Sequence, residues 1–269
     1  MTRRSTAGLL AATILAVAMT GAAVVPGAMA ADPADVPVLW TGFRDHPHGY
    51  LSAETAPNAA HFLPPPPDKG SLREQDDIAL YRATRALKDS PRWQMAAGDN
   101  EIETPRAPRI FDEALGIRFE PAHMPTLALL LGRMLGDLET VQGPAKRGFN
   151  RPRPFVSEPA ATCIVPEKWL AASGSYPSGH AATGWAWALV LAEMAPDRAD
   201  AVLARGLAYG ESRVVCGVHY ASDVEAGRLV GAALVARLQA DPAFQHDFAI
   251  ARQELAAQRA GRTAPPSAP

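Results

Sequence analysis

The chain has 269 residues, 48% of them hydrophobic and 20% charged, with a formal net charge of −2. That balance excludes a disordered chain and a multi-span membrane protein, and makes one domain with a sizeable core the simplest arrangement. It also excludes nucleic acid as the main partner, because gripping a phosphate backbone needs surplus positive charge, so any phosphate chemistry must rest on a few local cations.

Residues 1–30 read as a signal peptide. Arg3 and Arg4 form the charged start, an apolar stretch runs from about Ala7 to Val25, and Ala28-Met29-Ala30 supplies small residues for cleavage after Ala30. Against an uncleaved anchor stand the Ala- and Thr-rich core and Pro26-Gly27. The paired arginines leave the general and twin-arginine export routes both open. No later apolar run reaches about 18 residues, so no integral membrane association is expected after cleavage.

Residues 31–62 form an irregular N-terminal segment, and Pro64 to Pro67 make a stiff extended stretch that cannot join a helix. Ser71-Leu72-Arg73-Glu74 resembles a capping box that opens a helix through about Leu87. Shorter helices are expected near Pro91–Gly98 and Pro105–Leu115. From Met124 to Val141 the pattern is helical and apolar on most sides, as for a central helix. Residues 143–177 hold many Gly and Pro residues and read mainly as loop.

Ser178 to Met194 reads as an Ala-rich buried helix, and Asp197 is placed to cap the next one, through about Ser212. A last helix is expected from about Tyr220 to Ala240. The helical domain is drawn over 63–253, with a disordered tail over 254–269. No strand-like alternation persists, so the expected architecture is all-α. Cys163 and Cys216 are the only cysteines. Export would expose them to an oxidising compartment, which permits a disulfide; two buried thiols are the alternative, and spacing does not choose between them.

Three segments concentrate cationic and imidazole groups. The first, Lys146 to Pro154, carries one lysine and three arginines within eight residues, which repel one another unless an anion or acid meets them. The second, Gly174 to His180, lies just before an apolar helix, whose first N–H groups suit an anion. Ser178 there can add a hydroxyl and Gly179 permits close backbone approach. In the third, Ser212 to Asp223, His219 and Asp223 stand four apart, so on a helix they share a face, and the carboxylate can fix the imidazole tautomer. Each alone has a plainer reading: a solvated charged loop, a Ser N-cap beside a surface histidine, or a capping His–Asp pair.

Together the three read Lys-x6-Arg-Pro, Pro-Ser-Gly-His and Ser-Arg-x5-His-x3-Asp, in that order. This resembles the three-part motif of the type-2 phosphatidic acid phosphatase superfamily, which includes the vanadium haloperoxidases. Lys146, Arg153-Pro154, Pro177 to His180, Ser212, Arg213, His219 and Asp223 take the fixed positions, while Arg151-Pro152 stands out of register, which leaves open a place for Arg151 near the site. Leu63 to Pro67, Gly174-Ser175-Tyr176 and Cys216-Gly217 extend the likeness to the bacterial class A non-specific acid phosphatases, over roughly Leu63 to Leu238.

The resemblance implies a single-domain, all-α helical bundle of the phosphatidic acid phosphatase and haloperoxidase kind, periplasmic or secreted. It implies a metal-independent acid phosphatase of broad specificity, with small phosphomonoesters as substrates and neither metal nor cofactor. By this resemblance His219 is the nucleophile that forms a phosphohistidine, Asp223 orients it, and His180 is the general acid and base. Lys146, Arg153, Ser178, Gly179 and Arg213 bind the phosphate. Phosphotransfer to alcohols, inhibition by vanadate and a homodimer or higher homo-oligomer are compatible with the same reading. A vanadium-dependent haloperoxidase and a non-catalytic phosphate-binding protein remain alternatives. A zinc site built on His180, His219 and Asp223 is opposed by the cations around it.

Overall fold

A computed structural model describes residues 46–102 and 104–261; the proposed signal peptide, residues 31–45 and the last eight residues lie outside them. Among the described residues every regular element is helical. In chain order these are α1 (Ala59–Phe62), α2 (Leu72–Thr84), α3 (Pro91–Gly98), α4 (Asp112–Leu115), α5 (Pro125–Phe149) and α6 (Pro154–Ser157). Then come α7 (Lys168–Ala172), α8 (Gly179–Met194), α9 (Ala199–Cys216), α10 (Ala221–Leu238) and α11 (Pro242–Arg259), with short 3-10 turns between some of them. No helix among the described residues is long and apolar enough to cross a membrane.

The core is built around α8, which is apolar on nearly all sides and lies between α9 and α10. Close approach explains its small residues. A Cβ at Gly231 of α10 would stand 2.5 Å from the Ala182 carbonyl oxygen, so only glycine lets the two backbones meet there. α5 packs across this layer, with Leu127, Leu130, Leu131, Met134 and Leu138 fully shielded and Trp187 Nε1 donating to the Leu131 carbonyl at 3.0 Å. Each large apolar side chain so buried contributes roughly 1.5–3 kcal/mol of transfer free energy.

The helix starts agree with the capping signals where a side chain supplies them. Ser71 Oγ accepts from Glu74 N at 3.2 Å, and Ser90 Oγ from Trp93 N at 3.2 Å. Other boundaries depart from the sequence reading. α5 does not stop near Val141 but runs through Gly143 and Pro144 to Phe149, so the first part of the expected loop 143–177 is helix. Burial of Val141 and Ala145 outweighs the backbone bond that Pro144 cannot donate, and Asn150, at φ 41°, ends the helix. Asp197 caps nothing: it sits in a 3-10 turn and pairs with Arg259 at the chain's far end, while α9 reaches Cys216, past Ser212. A further helix, α11, follows α10, and the stretch 254–259 expected to be disordered is its final part. Its start carries a readable signal, Asp241 before Pro242, whose carboxylate accepts from Ala243 N and Phe244 N at 3.0 and 3.1 Å. At the other end, Leu51 and Ala59 from the irregular segment belong to the core, tied to α5 where Asp137 accepts from Tyr50 N and Leu51 N.

Candidate active site

The corner between α9 and α10 sets the spacing of the third motif. Gly217, at φ 82°, ends α9 in a Schellman turn: its N–H donates to the Val214 carbonyl at 3.0 Å and Val218 N to the Arg213 carbonyl at 3.1 Å. His219 N also reaches the Arg213 carbonyl, at 3.3 Å. Two residues six apart in sequence are thereby brought side by side. His219 precedes the helix, so it does not share a face of α10 with Asp223, as the four-residue spacing had suggested. The pair meets instead because Asp223 lies in the first turn and accepts from Tyr220 N at 2.8 Å, leaving Oδ2 3.5 Å from His219 Nδ1. Ser175 completes the link: its Oγ is 3.3 Å from His219 Nδ1 and donates to Asp223 Oδ2 at 2.5 Å. An Nδ1 that donates into this pair leaves the lone pair on Nε2.

Lys146 rides the last turns of α5, and Arg153 follows in the extended stretch before α6. Lys146 Nζ donates to the Gly174 carbonyl at 3.0 Å. Arg153 donates from Nε to the Ser173 carbonyl at 3.2 Å, from Nη2 to Ser173 Oγ at 3.0 Å, and from Nη1 to the Val218 carbonyl at 3.0 Å. Its Nη1 also faces His219 Nε2 at 3.0 Å. Opposite them, Gly179 and His180 open α8, and Ser178 is its N-cap, accepting from Ala181 N at 3.4 Å. His180 Nε2 lies 3.0 Å from the Asn100 carbonyl, and its ring stacks on Tyr209. The Asn100 side chain accepts from Arg213 Nη2 at 3.0 Å, so one residue positions both a cation and an imidazole. Asn100 is itself held by its neighbour Asp99, which accepts from Arg205 and Ser212.

These groups line a cavity of about 400 Å³. Its polar part presents Lys146, Arg153, Arg213, His180, His219 and the start of α8, and its wall is Ile102, Leu135, Leu138, Trp169 and Leu170. Arg213 is fully buried, and its Nε and Nη1 have no hydrogen-bond partner. A guanidinium is costly to bury with donors unmet, so the arrangement is incomplete without an acceptor of negative charge. Burial, with Arg153 next in effect, lowers the Lys146 ammonium to about 7, and burial first also lowers the Arg153 and Arg213 guanidiniums to about 10. Both imidazoles titrate well below the usual histidine range, through burial first, then Arg213 for His180 and Arg153 for His219.

Of the residues singled out by sequence, Lys146, Arg153, Gly179, His180, Arg213 and His219 meet at the cavity. Asp223 stands behind His219, while Ser178 caps α8 rather than lining the cavity. Cys163 and Cys216 are joined as a disulfide, fastening the loop after α6 to the end of α9 beside His219. Sequence reasoning missed Ser175, Asn100 and the buried cluster behind Asp223. Arg151, set aside as out of register, donates to Asp223 Oδ1 at 2.7 Å, to Ser222 Oγ at 2.8 Å and to Asp77 Oδ2 at 2.9 Å. The sequence reading left a place for Arg151 near the site, but not this role as the cation of two buried acids.

The model of the PAP2 superfamily matches residues 126–243, the stretch that carries all three segments. The non-specific acid phosphatase of Salmonella typhimurium is 42% identical over 212 residues, covering 77% of this chain and 83% of that protein. The non-specific acid phosphatase of Providencia stuartii is 40% identical over 211 residues, 77% and 84% of the two chains. An acid phosphatase of Zymomonas mobilis is 38% identical over 205 residues, 76% and 78% of the two.

Proposed function

The chain belongs to the PAP2 superfamily, and from that premise we propose that it is an acid phosphatase that hydrolyses phosphate monoesters through a phosphohistidine, without a metal. The observation that carries this reading is the cavity that Lys146, Arg153, His219 and Arg213, with two partnerless nitrogens, line together, Arg153 Nη1 standing 3.0 Å from His219 Nε2. A phosphoryl group there would have its equatorial oxygens met by fixed cations and the Gly179 N–H, which is where transition-state charge must be held. Three cations also supply the charge that a divalent ion would otherwise bring, and they repel such an ion.

His219 Nε2 attacks phosphorus in line, and the ester P–O bond breaks as the N–P bond forms. Nδ1 keeps its proton, held by Ser175 and Asp223. His180 gives a proton to the departing oxygen. Water then attacks the phosphohistidine, returning a proton to His180 and the bonding pair to His219. An alcohol in place of water would give phosphotransfer. The apolar wall accepts varied organic groups, which suits broad specificity.

Residues 1–30 are proposed as a cleaved export signal, and the protein as periplasmic or secreted. The Cys163–Cys216 disulfide supports this, because such bonds persist in oxidising compartments. Residues 63–253, extended by the helical ends described above, would form the catalytic domain.

Hydrolysis of p-nitrophenyl phosphate near pH 6 in excess EDTA, beside His219→Ala, tests the core of the proposal. Wild type should turn over, and the variant should lose about 10³-fold or more in kcat with its fold intact by circular dichroism. Dependence on an added metal, or an active His219→Ala protein, would remove the metal-free phosphohistidine.

A further inference from the structure

The cavity's cations can only donate hydrogen bonds, since neither ammonium nor guanidinium has a lone pair to offer. A buried amide there can also accept. Gln142 lies on α5 one helical turn before Lys146, lines the same cavity and is only 9% exposed, and its Oε1 has no hydrogen-bond partner. Its amide rests against the start of α8: a Cβ at Gly179 would stand 3.2 Å from Nε2 and 3.3 Å from Oε1. The next residue is His180. A buried acceptor without a donor is unfavourable, so a species bearing a hydrogen is expected opposite it during turnover.

Held as a dianion among Lys146, Arg153 and Arg213, the phosphoryl group of an ester or of a phosphohistidine carries no such hydrogen on its oxygens. Water does, and it carries two. In the second step one proton passes to His180, and the other needs an acceptor while the oxygen's lone pair is aimed at phosphorus. We propose that Gln142 Oε1 is that acceptor, and that Gln142 is a catalytic residue of dephosphorylation that selects water as the attacking nucleophile. The water oxygen forms the new O–P bond as N–P breaks, with its electron pair returning to His219 Nε2. One proton goes to His180, and the other leaves on the product as P–OH, still facing Gln142.

An alcohol has a single O–H, which His180 consumes, so it has nothing to give Gln142. Removing the acceptor should therefore handicap hydrolysis and spare transfer to alcohols. This rests on the phosphohistidine reading above, and the test separates the two. Gln142→Met keeps the shape of the side chain without its polar atoms. In buffered methanol, the ratio of methyl phosphate to inorganic phosphate formed from p-nitrophenyl phosphate should rise roughly fivefold over wild type, the worth of one ordinary hydrogen bond. The ratio is set after the intermediate has formed, so it reads the choice of nucleophile separately from any change in kcat/KM.

Gln142→Glu keeps an acceptor oxygen while adding charge. It should raise KM yet leave the product ratio near wild type, and it serves if the methionine variant does not fold. An unchanged ratio in Gln142→Met, or a rise as large in Gln142→Glu, overturns the role of Gln142 alone. If the wild-type ratio varies among phenyl, p-nitrophenyl and nucleoside phosphates, no common intermediate exists, and the phosphohistidine falls together with this proposal.

Discussion

Behind the reactive imidazole stands a chain of buried polar groups, and the residue that joins it, Ser175, entered the sequence reading only as part of the Gly174-Ser175-Tyr176 likeness, with no role attached. The His219–Asp223 pairing was legible as a spacing, though for the wrong reason: the two meet across a helix start, not along a helix face. At 3.5 Å the direct contact is long, and Ser175 Oγ bridges it while sharing the carboxylate with Arg151. Ser175→Ala should therefore lower kcat/KM about tenfold and leave KM for the substrate little changed, because orientation and tautomer are lost rather than phosphate contacts. Parallel loss of phosphate affinity would show that Ser175 acts on the cavity itself. Arg151 serves stability more than binding. It is the cation for two carboxylates, Asp77 and Asp223, whose side chains are 2% and 0% exposed. Arg151→Leu should cost about 3–5 kcal/mol in urea unfolding, since both acids would stay buried with their hydrogen bonds from Tyr220, Ser175 and Ser222 but without this cation. A loss below 1 kcal/mol would mean that solvent or another cation replaces it. Neither role could be read in advance, because Asp77 comes from α2 and Ser175 from the loop before α8, and only the fold brings them to α10.

At the scale of elements, the site is a set of helix ends: the close of α5, the start of α8, and the α9–α10 corner. Gly217 was part of the resemblance, and its physical task is the positive φ that lets one carbonyl of Arg213 gather the N–H groups of Val218 and His219. A Cβ there would also meet the Arg85 guanidinium, which would have to shift from its bonds to the Val214 and Val215 carbonyls. Gly217→Ala should cost about 1–3 kcal/mol of stability and should lower kcat more than that loss explains, by displacing Arg213 and His219 together. Thermal unfolding beside single-turnover kinetics reads both; a stable, fully active variant would deny the corner its role. The disulfide reinforces the same corner, closing 53 residues of chain, a constraint on the unfolded state of about 4 kcal/mol. The central elements were legible from apolar periodicity, whereas the far turns of α5 were not. Gly143, Pro144 and Gly148 are local breaking signals, and the packing of Val141 and Ala145 that overrides them is tertiary. The course of α5 through them determines where Lys146 points.

For the molecule as a whole, a net charge of −2 coexists with a strongly cationic cavity, and pH dependence follows from that contrast. In the empty site His219 stays neutral to well below the ordinary histidine range, so the nucleophile is ready in acid. His180 is also neutral there and must gain a proton to act as the acid. Because kcat/KM reports the free enzyme, it should fall about tenfold per pH unit once His180 is unprotonated, already on the acid side of neutrality. A second loss begins near pH 7, where burial and Arg153 let the Lys146 ammonium shed its proton. Monoesters are dianions above about pH 6 to 7, so binding one to neutral Lys146 requires uptake of a further proton. The limb should then steepen toward a hundredfold per unit above about pH 7 to 8. Lys146→Arg keeps its charge throughout that range, so it should restore the shallower slope even if its peak activity is lower. A single tenfold slope through pH 9 in wild type would show that Lys146 does not titrate in the free enzyme. The preference for acid would then rest on His180 alone.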